Sequence, residues 1–252
     1  MIKLSDKEFE KYSRQILIEK IGIKGQEKIK KSSVILIGCG GLGTSAAQYL
    51  TMTGIGRIKI VDPEKVELSN LNRQTLLLEE DIGIKKTEAI IKTLKKINPC
   101  AKLDIVNTKV QKNNIDQLLG NYKIVLDCTD NFKSRYLINQ FCFKNKKFLV
   151  SAALQNFDVQ AFALAPWKGR NNPCYECIFP KININNQLNC DEMGIVAPVA
   201  GLGGVLQAIL TINIILGTDS KIFREFLTFD CFNRNFKKIR ISKNSHCKIC
   251  KF

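Results

Sequence analysis

The chain has 252 residues, of which 45% are hydrophobic, and this is enough to bury the core of one large domain or two small ones. The net charge of +16 comes from lysines spread along the whole chain, which favours a solvated surface, or attraction to an acidic protein or ATP, over a nucleic-acid groove. Ten cysteines behind a polar N-terminus without a signal-peptide pattern argue against a disulfide framework. We therefore expect a cytoplasmic protein in which some thiols bind metal or catalyse.

The first elements in the chain alternate between helix and strand. Residues 6–21 are amphipathic and predict a surface helix that exposes Arg14. The stretch SSVILIGCGGLGTSAAQYLTMTGIGRIKIVD then reads as a strand, a glycine turn, a helix and a second strand that ends at Asp62. This order predicts a βαβ unit.

The alternation continues along the chain. EDIGIKKTEAIIKTLKKIN and SRYLINQFCFKN predict helices, and the predicted strands are CAKLDIVNTKV, KIVLDCTDN, KFLVSAAL and DVQAFALAP. The sequence therefore predicts an α/β fold, with a doubly wound, mostly parallel sheet that continues into mixed strands. Residues 195–217 are mostly apolar, and the segment is about as long as a membrane span, which takes roughly 20 residues in a helix. Pro198, Gln207 and Asn213 interrupt the apolar run, and this favours a helix buried against the sheet.

The glycine turn carries a nucleotide signature. In GCGGLG, Gly38, Gly40 and Gly43 follow the GxGxxG register between a strand and a helix, where backbone N–H groups and the helix N-terminus bind phosphates. Asp62 ends the second strand, where an acidic residue accepts hydrogen bonds from a ribose hydroxyl. The pattern indicates a Rossmann-like nucleotide site, which an NAD-dependent dehydrogenase would also have.

Further polar residues are expected at the same edge of the sheet. SNLNRQ contributes Asn70 and Arg73, IGIKK contributes Lys86, and CTDN places Asp130 just after a buried strand. The cations suit a triphosphate, and the aspartate suits Mg²⁺. A dehydrogenase leaves these residues unexplained and more often offers a histidine acid, whereas the sole histidine, His246, lies in a cysteine-rich tail.

Two cysteine pairs have metal-ligand spacing. CYEC supplies Cys174 and Cys177, and CKIC supplies Cys247 and Cys250. Each pair alone is also compatible with a redox pair, but together they predict a closed four-thiolate zinc site with a structural role. Cys190 stands apart in LNCDEMG, where it is either a nucleophile or a loop cysteine without catalytic duty.

Seven motifs, in order, resemble those of the ThiF/MoeB adenylyltransferases, bacterial relatives of ubiquitin-activating enzymes: YSRQIL, GCGGLG, SNLNRQ, CTDN, PCYEC, NCDEMGIVAPVAG and CKIC. The resemblance covers essentially the whole chain. It implies ATP-dependent adenylation of the C-terminal Gly-Gly carboxylate of a small ubiquitin-like sulfur-carrier protein, with release of pyrophosphate. It also implies one domain over residues 1–252, with the nucleotide part in residues 1–150 and the carrier-binding and zinc part in residues 151–252.

The resemblance also implies roles for individual residues. The ligands of ATP and Mg²⁺ would be Gly38, Gly40, Gly41, Gly43, Asp62, Asn70, Arg73, Gln74, Lys86 and Asp130. The catalytic residues would be Arg73, Lys86, Asp130, Arg14 and Cys190. Arg14 would reach into the neighbouring subunit's site in a homodimer. Cys190 would link covalently to the carrier or take sulfur from a donor such as a cysteine desulfurase.

The branch of the family depends on a few residues. DKEFEKYSRQIL and LAPWKGRNNPCYECIFP, which contains Trp167, look closer to ThiF of thiamine thiazole synthesis, and this implies a ThiS-like carrier. A MoeB-like enzyme of molybdopterin synthesis, with a MoaD-like carrier, is the alternative. A nucleic-acid-binding zinc protein would account for the +16 charge, and a related branch of the superfamily modifies tRNA. Neither nucleic acid nor a membrane is the expected partner.

Overall fold

The structure, a computed structural model, describes residues 3–181, 194–217 and 219–251. Its centre is one eight-stranded sheet. In chain order the strands are β1 (Ser33–Ile37), β2 (Arg57–Val61), β3 (Lys102–Val106), β4 (Ile124–Asp127), β5 (Phe148–Gln155), β6 (Asp158–Leu164), β7 (Glu225–Asp230) and β8 (Asn235–Arg240). In the sheet they follow the order β3-β2-β1-β4-β5-β6-β7-β8.

The sheet changes from parallel to antiparallel at β5. Strands β3, β2, β1, β4 and β5 pair in parallel, and β5, β6, β7 and β8 pair antiparallel. Strand β1 lies between β2 and β4, with Ile37 opposite both Val61 and Asp127. The chain therefore winds in opposite directions on the two sides of β1, and this arrangement opens a crevice at the carboxyl ends of the strands.

Helices cover both faces of the sheet. They are α1 (Asp6–Lys11), α2 (Ser13–Ile16), α3 (Gly22–Lys31), α4 (Gly41–Thr53), α5 (Lys86–Ile97), α6 (Ile115–Leu119), α7 (Phe132–Lys144), α8 (Tyr175–Ile178) and α9 (Ala197–Leu216). Successive residues of β1 face opposite sides, so Leu36 joins the core under α3, α4, α5 and α9, and Ile35 joins the core under α6 and α7. Burial on both faces explains why the central parallel strands β1 and β4 are almost entirely apolar.

Helix α9 is long and apolar enough to cross a membrane by length and composition, but it packs against α4, β5 and β6. Its glycines allow the close approach, because a Cβ on Gly204 would overlap the carbonyl oxygen of Leu42 in α4. The hydroxyl of Ser45 in α4 donates to the carbonyl oxygen of Gly201 at 2.9 Å. The expectation of a helix packed on the sheet is confirmed for this segment.

The α/β class and the change from parallel to mixed strands, predicted from the sequence, are confirmed. One prediction was wrong: residues 6–21 form two short helices rather than one, because the chain turns at Tyr12. The Tyr12 ring is buried against Gly54, and its hydroxyl accepts from the side-chain amide of Asn98 at 3.1 Å. Strands β7 and β8 and helices α3, α6 and α8 were not predicted from the sequence.

Gly43 fixes the spacing between α4 and β1. A Cβ at this position would overlap the carbonyl oxygen of Gly38, which is backbone and cannot rotate away. We expect Gly43→Ala to lower the free energy of unfolding by about 1–3 kcal/mol, as overpacking does in other cores. Urea denaturation of purified protein measures this change.

Gly201→Ala in α9 is the matched control. A Cβ there meets nothing within 4 Å, so we expect the same change to leave stability unchanged or to raise it by about 0.5–1 kcal/mol. Equal effects of the two substitutions would contradict the contact between Gly43 and Gly38.

Candidate nucleotide site and cysteine cluster

A cavity of about 780 Å³ opens at the carboxyl ends of the parallel strands. Nine of the ten predicted nucleotide ligands line it: Gly38, Gly40, Gly41, Asp62, Asn70, Arg73, Gln74, Lys86 and Asp130. The tenth, Gly43, is not among the described lining residues, since it packs α4 onto β1. These nine residues are spread over 93 residues of sequence, from Gly38 to Asp130, and the fold brings them together in one crevice.

The glycine turn leaves space and donors for an anion. Gly38 has φ +88°, and a Cβ there would meet the carbonyl oxygen of Cys128 at 2.8 Å. Gly40 is the N-cap of α4 and has no side chain that could accept from the first N–H groups of the helix. A Cβ on Gly40 would meet nothing within 4 Å, so the space beside the helix N-terminus belongs to the cavity. This arrangement fits phosphate binding.

Asp62 is held in a fixed orientation at the end of β2. Its Oδ2 accepts from the N–H of Cys39 at 2.7 Å, and its Oδ1 accepts from the N–H of Glu64 at 2.8 Å. Burial raises the pKa of the Asp62 carboxyl, and these hydrogen bonds and the charge of Lys86 oppose that rise. The carboxylate oxygens keep further lone pairs for a ribose hydroxyl.

Lys86 begins α5 and is only 3% exposed. Its Nζ pairs with Oε2 of Glu64 at 2.5 Å, so the buried ammonium has a counterion at the cavity wall. Burying an ammonium is costly without such a partner, and the pair explains how a lysine can lie here. Anionic phosphate oxygens are chemically suited to the same position.

The segment 69–74 presents the other predicted phosphate and nucleotide ligands. Arg73 Nη1 donates to the carbonyl oxygen of Ser69 at 2.7 Å, which folds the guanidinium back along the cavity wall. Asn70 Oδ1 accepts from the N–H of Glu67 at 3.1 Å. Gln74 is 2% exposed, and within the described part of the chain its Oε1 has no hydrogen-bond partner. An unpaired buried acceptor beside a cavity is suited to a donor on a ligand.

Asp130 lies on the loop that follows β4 and faces the cavity. Its carboxylate is exposed, and Oδ1 accepts from the side-chain amide of Asn131 at 3.0 Å. An accessible carboxylate beside a phosphate-sized space is a suitable ligand for Mg²⁺, which takes one or two carboxylates and completes its shell with water and phosphate oxygens.

Two buried charged residues beside Asp130 were not predicted from the sequence. Asp127 ends β4 and is fully buried, and Arg135 lines the cavity from α7 although it is only 5% exposed. Lys109, which lines the cavity after β3, was not predicted either. The end of β3 was a signal for Lys109, because ligands bind beyond the carboxyl ends of parallel strands. For Asp127 and Arg135 the signal is burial, which the sequence does not show.

Two predicted catalytic residues are not placed in this cavity by the structure. Arg14 is exposed on α2 and is not among the described residues that line the cavity. Its contribution to a neighbouring subunit stays a prediction. Cys190 falls outside the described residues.

The four predicted metal ligands meet in space. The Sγ atoms of Cys174, Cys177, Cys247 and Cys250 all lie within 4.8 Å of one another. The separations are 3.9 Å for 174–177, 3.6 Å for 174–247 and 3.3 Å for 177–250. Zinc bound by four thiolates at about 2.3 Å sets the sulfurs about 3.8 Å apart, so the cluster fits a tetrahedral Zn²⁺.

The cluster joins distant parts of the chain. Cys174 precedes α8, and the other pair lies in the C-terminal tail, where Ile249 packs against the cluster together with Phe143 of α7. His246 is exposed, with Nδ1 3.1 Å from the hydroxyl of Ser245, and is not one of the four clustered ligands. A metal here would hold the tail against α7 and α8.

The thiols differ in acidity. Hydrogen bonds from Cys174 and Cys250 lower the pKa of Cys177, whereas the contact with Cys177 raises the pKa of Cys174. Neighbouring thiols thus stabilise one thiolate and disfavour the next, since like charges at this distance repel. A divalent cation removes that repulsion and allows all four to ionise.

The structure is an α/β fold with a cavity at the carboxyl ends of its parallel strands and a cluster of four cysteines. The model of the ThiF family matches residues 12–249, and the chain belongs to this family. Adenylyltransferase and sulfurtransferase MOCS3 of Aedes aegypti is 39% identical, over 98% of this chain and 56% of the relative. Sulfur carrier protein adenylyltransferase of Thermus thermophilus is 32% identical, over 99% of this chain and 93% of the relative.

The chain thus spans about half the length of the MOCS3 relatives. Among solved structures, E. coli MccB with succinimide superimposes with a TM-score of 0.83 at 23% identity, over 96% of this chain and 74% of MccB. MccB with ATP gives a TM-score of 0.81 at 24% identity, over 95% of this chain and 74% of MccB. At this identity the similarity establishes the fold.

The cysteine cluster predicts a linked loss of metal and stability. We expect Cys174→Ser to lower zinc content and the thermal midpoint together, because metal binding and folding are coupled. Elemental analysis and calorimetry of the same sample measure both. Cys100→Ser, at an exposed cysteine outside the cluster, is the control and should change neither. Full zinc occupancy in Cys174→Ser would rule out the four-cysteine assignment.

Proposed function

We propose that this chain adenylates the C-terminal carboxylate of a ubiquitin-like sulfur-carrier protein with ATP and releases pyrophosphate. The observation that carries the proposal is the single cavity in which the glycine turn, Asp62, Arg73, Lys86 and Asp130 meet. The proposal also draws on the Thermus relative, which is named for this reaction and aligns over 93% of its own length.

The chemistry follows from the charges at the site. A carboxylate oxygen of the carrier forms a bond to the α-phosphorus of ATP, the bond from that phosphorus to the bridging oxygen breaks, and pyrophosphate leaves with the electron pair. Both reactants are anions, so catalysis consists largely of positioning and of neutralising charge. Arg73, Lys86 and the N-terminus of α4 provide this on the cavity wall. A general base is unnecessary because the carboxylate is ionised at neutral pH.

Mg²⁺ bound by Asp130 would supply further positive charge against the phosphates. Gly40 and Gly41 would approach the phosphates through backbone, and Asp62 would accept from the ribose. Arg14 would complete the site of a second subunit in a homodimer, which is supported by its exposure on α2.

The carrier branch is the finer part of the proposal. The residues around Trp167 and the first cysteine pair favour a ThiS-like carrier of thiamine thiazole synthesis, and a MoaD-like carrier of molybdopterin synthesis is the alternative. Residues 151–252 would bind the carrier. Cys190 would take part in sulfur transfer with a donor such as a cysteine desulfurase, in the cytoplasm.

Asp130 is the residue on which the metal role depends. We expect Asp130→Ala to lower ATP–pyrophosphate exchange by about 100-fold or more, because it removes the carboxylate that would hold the cation at the phosphates. The exchange of label from pyrophosphate into ATP is measured with carrier present. Asp116→Ala, at an exposed aspartate in α6, is the matched control. Retained exchange in a folded Asp130→Ala variant would remove Asp130 from the metal role.

The reaction and its branch are tested with two purified carriers, one from the thiamine pathway and one from the molybdopterin pathway. We expect the thiamine carrier alone to stimulate exchange, because the sequence around Trp167 looks closer to that branch. Stimulation by the other carrier alone would keep the reaction and change the branch. The absence of exchange with either carrier, using folded and zinc-loaded protein, would contradict the proposed function.

A further inference from the structure

Two buried charged side chains lie beneath the loop that carries Asp130, and the proposed chemistry uses neither. Asp127 is fully buried at the end of β4, and Arg135 is 5% exposed in α7. Charged groups are rarely buried without a specific partner, because their desolvation is costly. Their partners therefore indicate what these two residues do.

Asp127 holds the start of the loop. Its Oδ1 accepts from the N–H of Thr129 at 3.1 Å and from the hydroxyl of Thr129 at 2.7 Å. Its Oδ2 accepts from the hydroxyl of Ser151 in β5 at 3.2 Å. One buried carboxylate thus ties the loop to two neighbouring strands of the sheet.

Arg135 holds the same loop from the other side. Its Nη2 donates to the carbonyl oxygen of Thr129 at 2.5 Å. Its guanidinium also interacts with the hydroxyl of Tyr175, because the charge and hydrogen bonding of Arg135 oppose the rise that burial causes in the pKa of this tyrosine. Tyr175 is 1% exposed and lies between Cys174 and Cys177. Arg135 therefore connects the loop of the nucleotide cavity to the first cysteine pair.

Thr129 is consequently held at both its N–H and its carbonyl oxygen by buried charged groups. The next residue is Asp130, whose carboxylate accepts from Asn131 at 3.0 Å and otherwise faces the cavity. The fixed backbone of Thr129 thus sets the orientation of Asp130. Groups that orient a metal-ligating carboxylate are typically worth about 10- to 100-fold in metal affinity or activity.

We propose that Arg135 is a positioning residue that fixes Thr129 so that Asp130 presents its carboxylate to the cation of MgATP, and that Tyr175 holds Arg135 in place. This inference rests on the proposed function for the identity of the ligand, ATP. It assigns the first cysteine pair a second role, which is to support the nucleotide site through Tyr175 as well as to anchor the tail.

Arg135 acts through the loop because its donors are directed at protein groups. One reaches Thr129 and another reaches Tyr175, and the negative charge of Asp127 lies nearby. Both charges act on the thiol of Cys128: burial raises its pKa, Asp127 raises it further and Arg135 opposes the rise. Lysine carries the same charge but lacks the planar fork that bridges two acceptors, so Arg135→Lys separates geometry from charge.

The experiment is calorimetric titration of zinc-loaded protein with ATP, with and without Mg²⁺, which needs no carrier. We expect Arg135→Lys to reduce the Mg²⁺-dependent gain in ATP affinity about 10-fold or more while the affinity for metal-free ATP stays unchanged. Tyr175→Phe removes one hydrogen bond and should reduce the gain by about 2- to 10-fold. Zinc content and thermal midpoint, measured on each sample, exclude loss of the fold.

Matched controls use the same substitutions elsewhere. Arg170→Lys and Tyr49→Phe, at two residues that do not line the cavity among those described, should leave the gain unchanged. Asp130→Ala should abolish the Mg²⁺-dependent gain in ATP affinity. Adding Arg135→Lys to Asp130→Ala should not lower the ATP affinity further, because Arg135 acts on the cation only through Asp130.

Three results would overturn the inference. The first is an undiminished gain in both Arg135→Lys and Tyr175→Phe. The second is an equal loss of affinity for metal-free ATP, which would show that Arg135 contacts the phosphates itself. The third is additive losses in the double variant. If Arg135→Lys does not fold, Tyr175→Phe decides alone.

Failure of the proposed adenylation reaction can be distinguished from failure of the inference on Arg135. Wild-type protein that gains ATP affinity with Mg²⁺ but does not exchange pyrophosphate with either carrier would contradict the reaction, and the comparison of variants would still decide the role of Arg135. Wild-type protein without a Mg²⁺-dependent gain would overturn the inference, because Asp130 would then have no cation to hold.

Discussion

The close contact between α4 and β1 at the glycine turn is the constraint on which the site depends. Gly43 lies against the carbonyl oxygen of Gly38, so the helix starts directly above the strand. This contact aims the N-terminus of α4 into the cavity between β2 and β4. The carboxylate of Asp62 closes the same turn by accepting from the N–H of Cys39 at 2.7 Å. Backbone packing therefore sets the position of the N–H groups at the start of α4, and the charged side chains are arranged around them.

The buried charged side chains named above each have a hydrogen-bond or ion-pair partner, and these partners hold the polar crevice in one arrangement. Lys86 pairs with Glu64, and Asp127 and Arg135 each bind Thr129. Buried charges satisfied in this way hold their geometry, because any displacement leaves a desolvated charge unpaired. The proposed reaction joins two anions, and fixed positive groups favour it because they need no reorganisation during the reaction. The cysteine cluster extends this fixed region through Tyr175.

Much of the fold could be predicted because strands buried on both faces read as apolar runs between helices. Strand β4, with sequence IVLD, is fully buried and was predicted. Strand β8, with sequence NFKKIR, is exposed at every position and lacks the apolar signal, so it was not predicted. The N-terminal helix was predicted too long, because the turn at Tyr12 depends on contacts with Gly54 and Asn98, which are distant in sequence.

The sequence by itself determined the glycine signature, the two cysteine pairs and nine of the residues that line the cavity, because glycine turns, strand ends and paired thiols are local patterns. Only the tertiary structure showed that Gly43 packs against the carbonyl oxygen of Gly38, and how closely the thiols of 174–177 and 247–250 approach one another. It also revealed Asp127 and Arg135, since a buried charge looks like any surface charge until its neighbours are known. Burial and contacts between distant segments are properties of the folded chain, and this is why they could not be read from residue order.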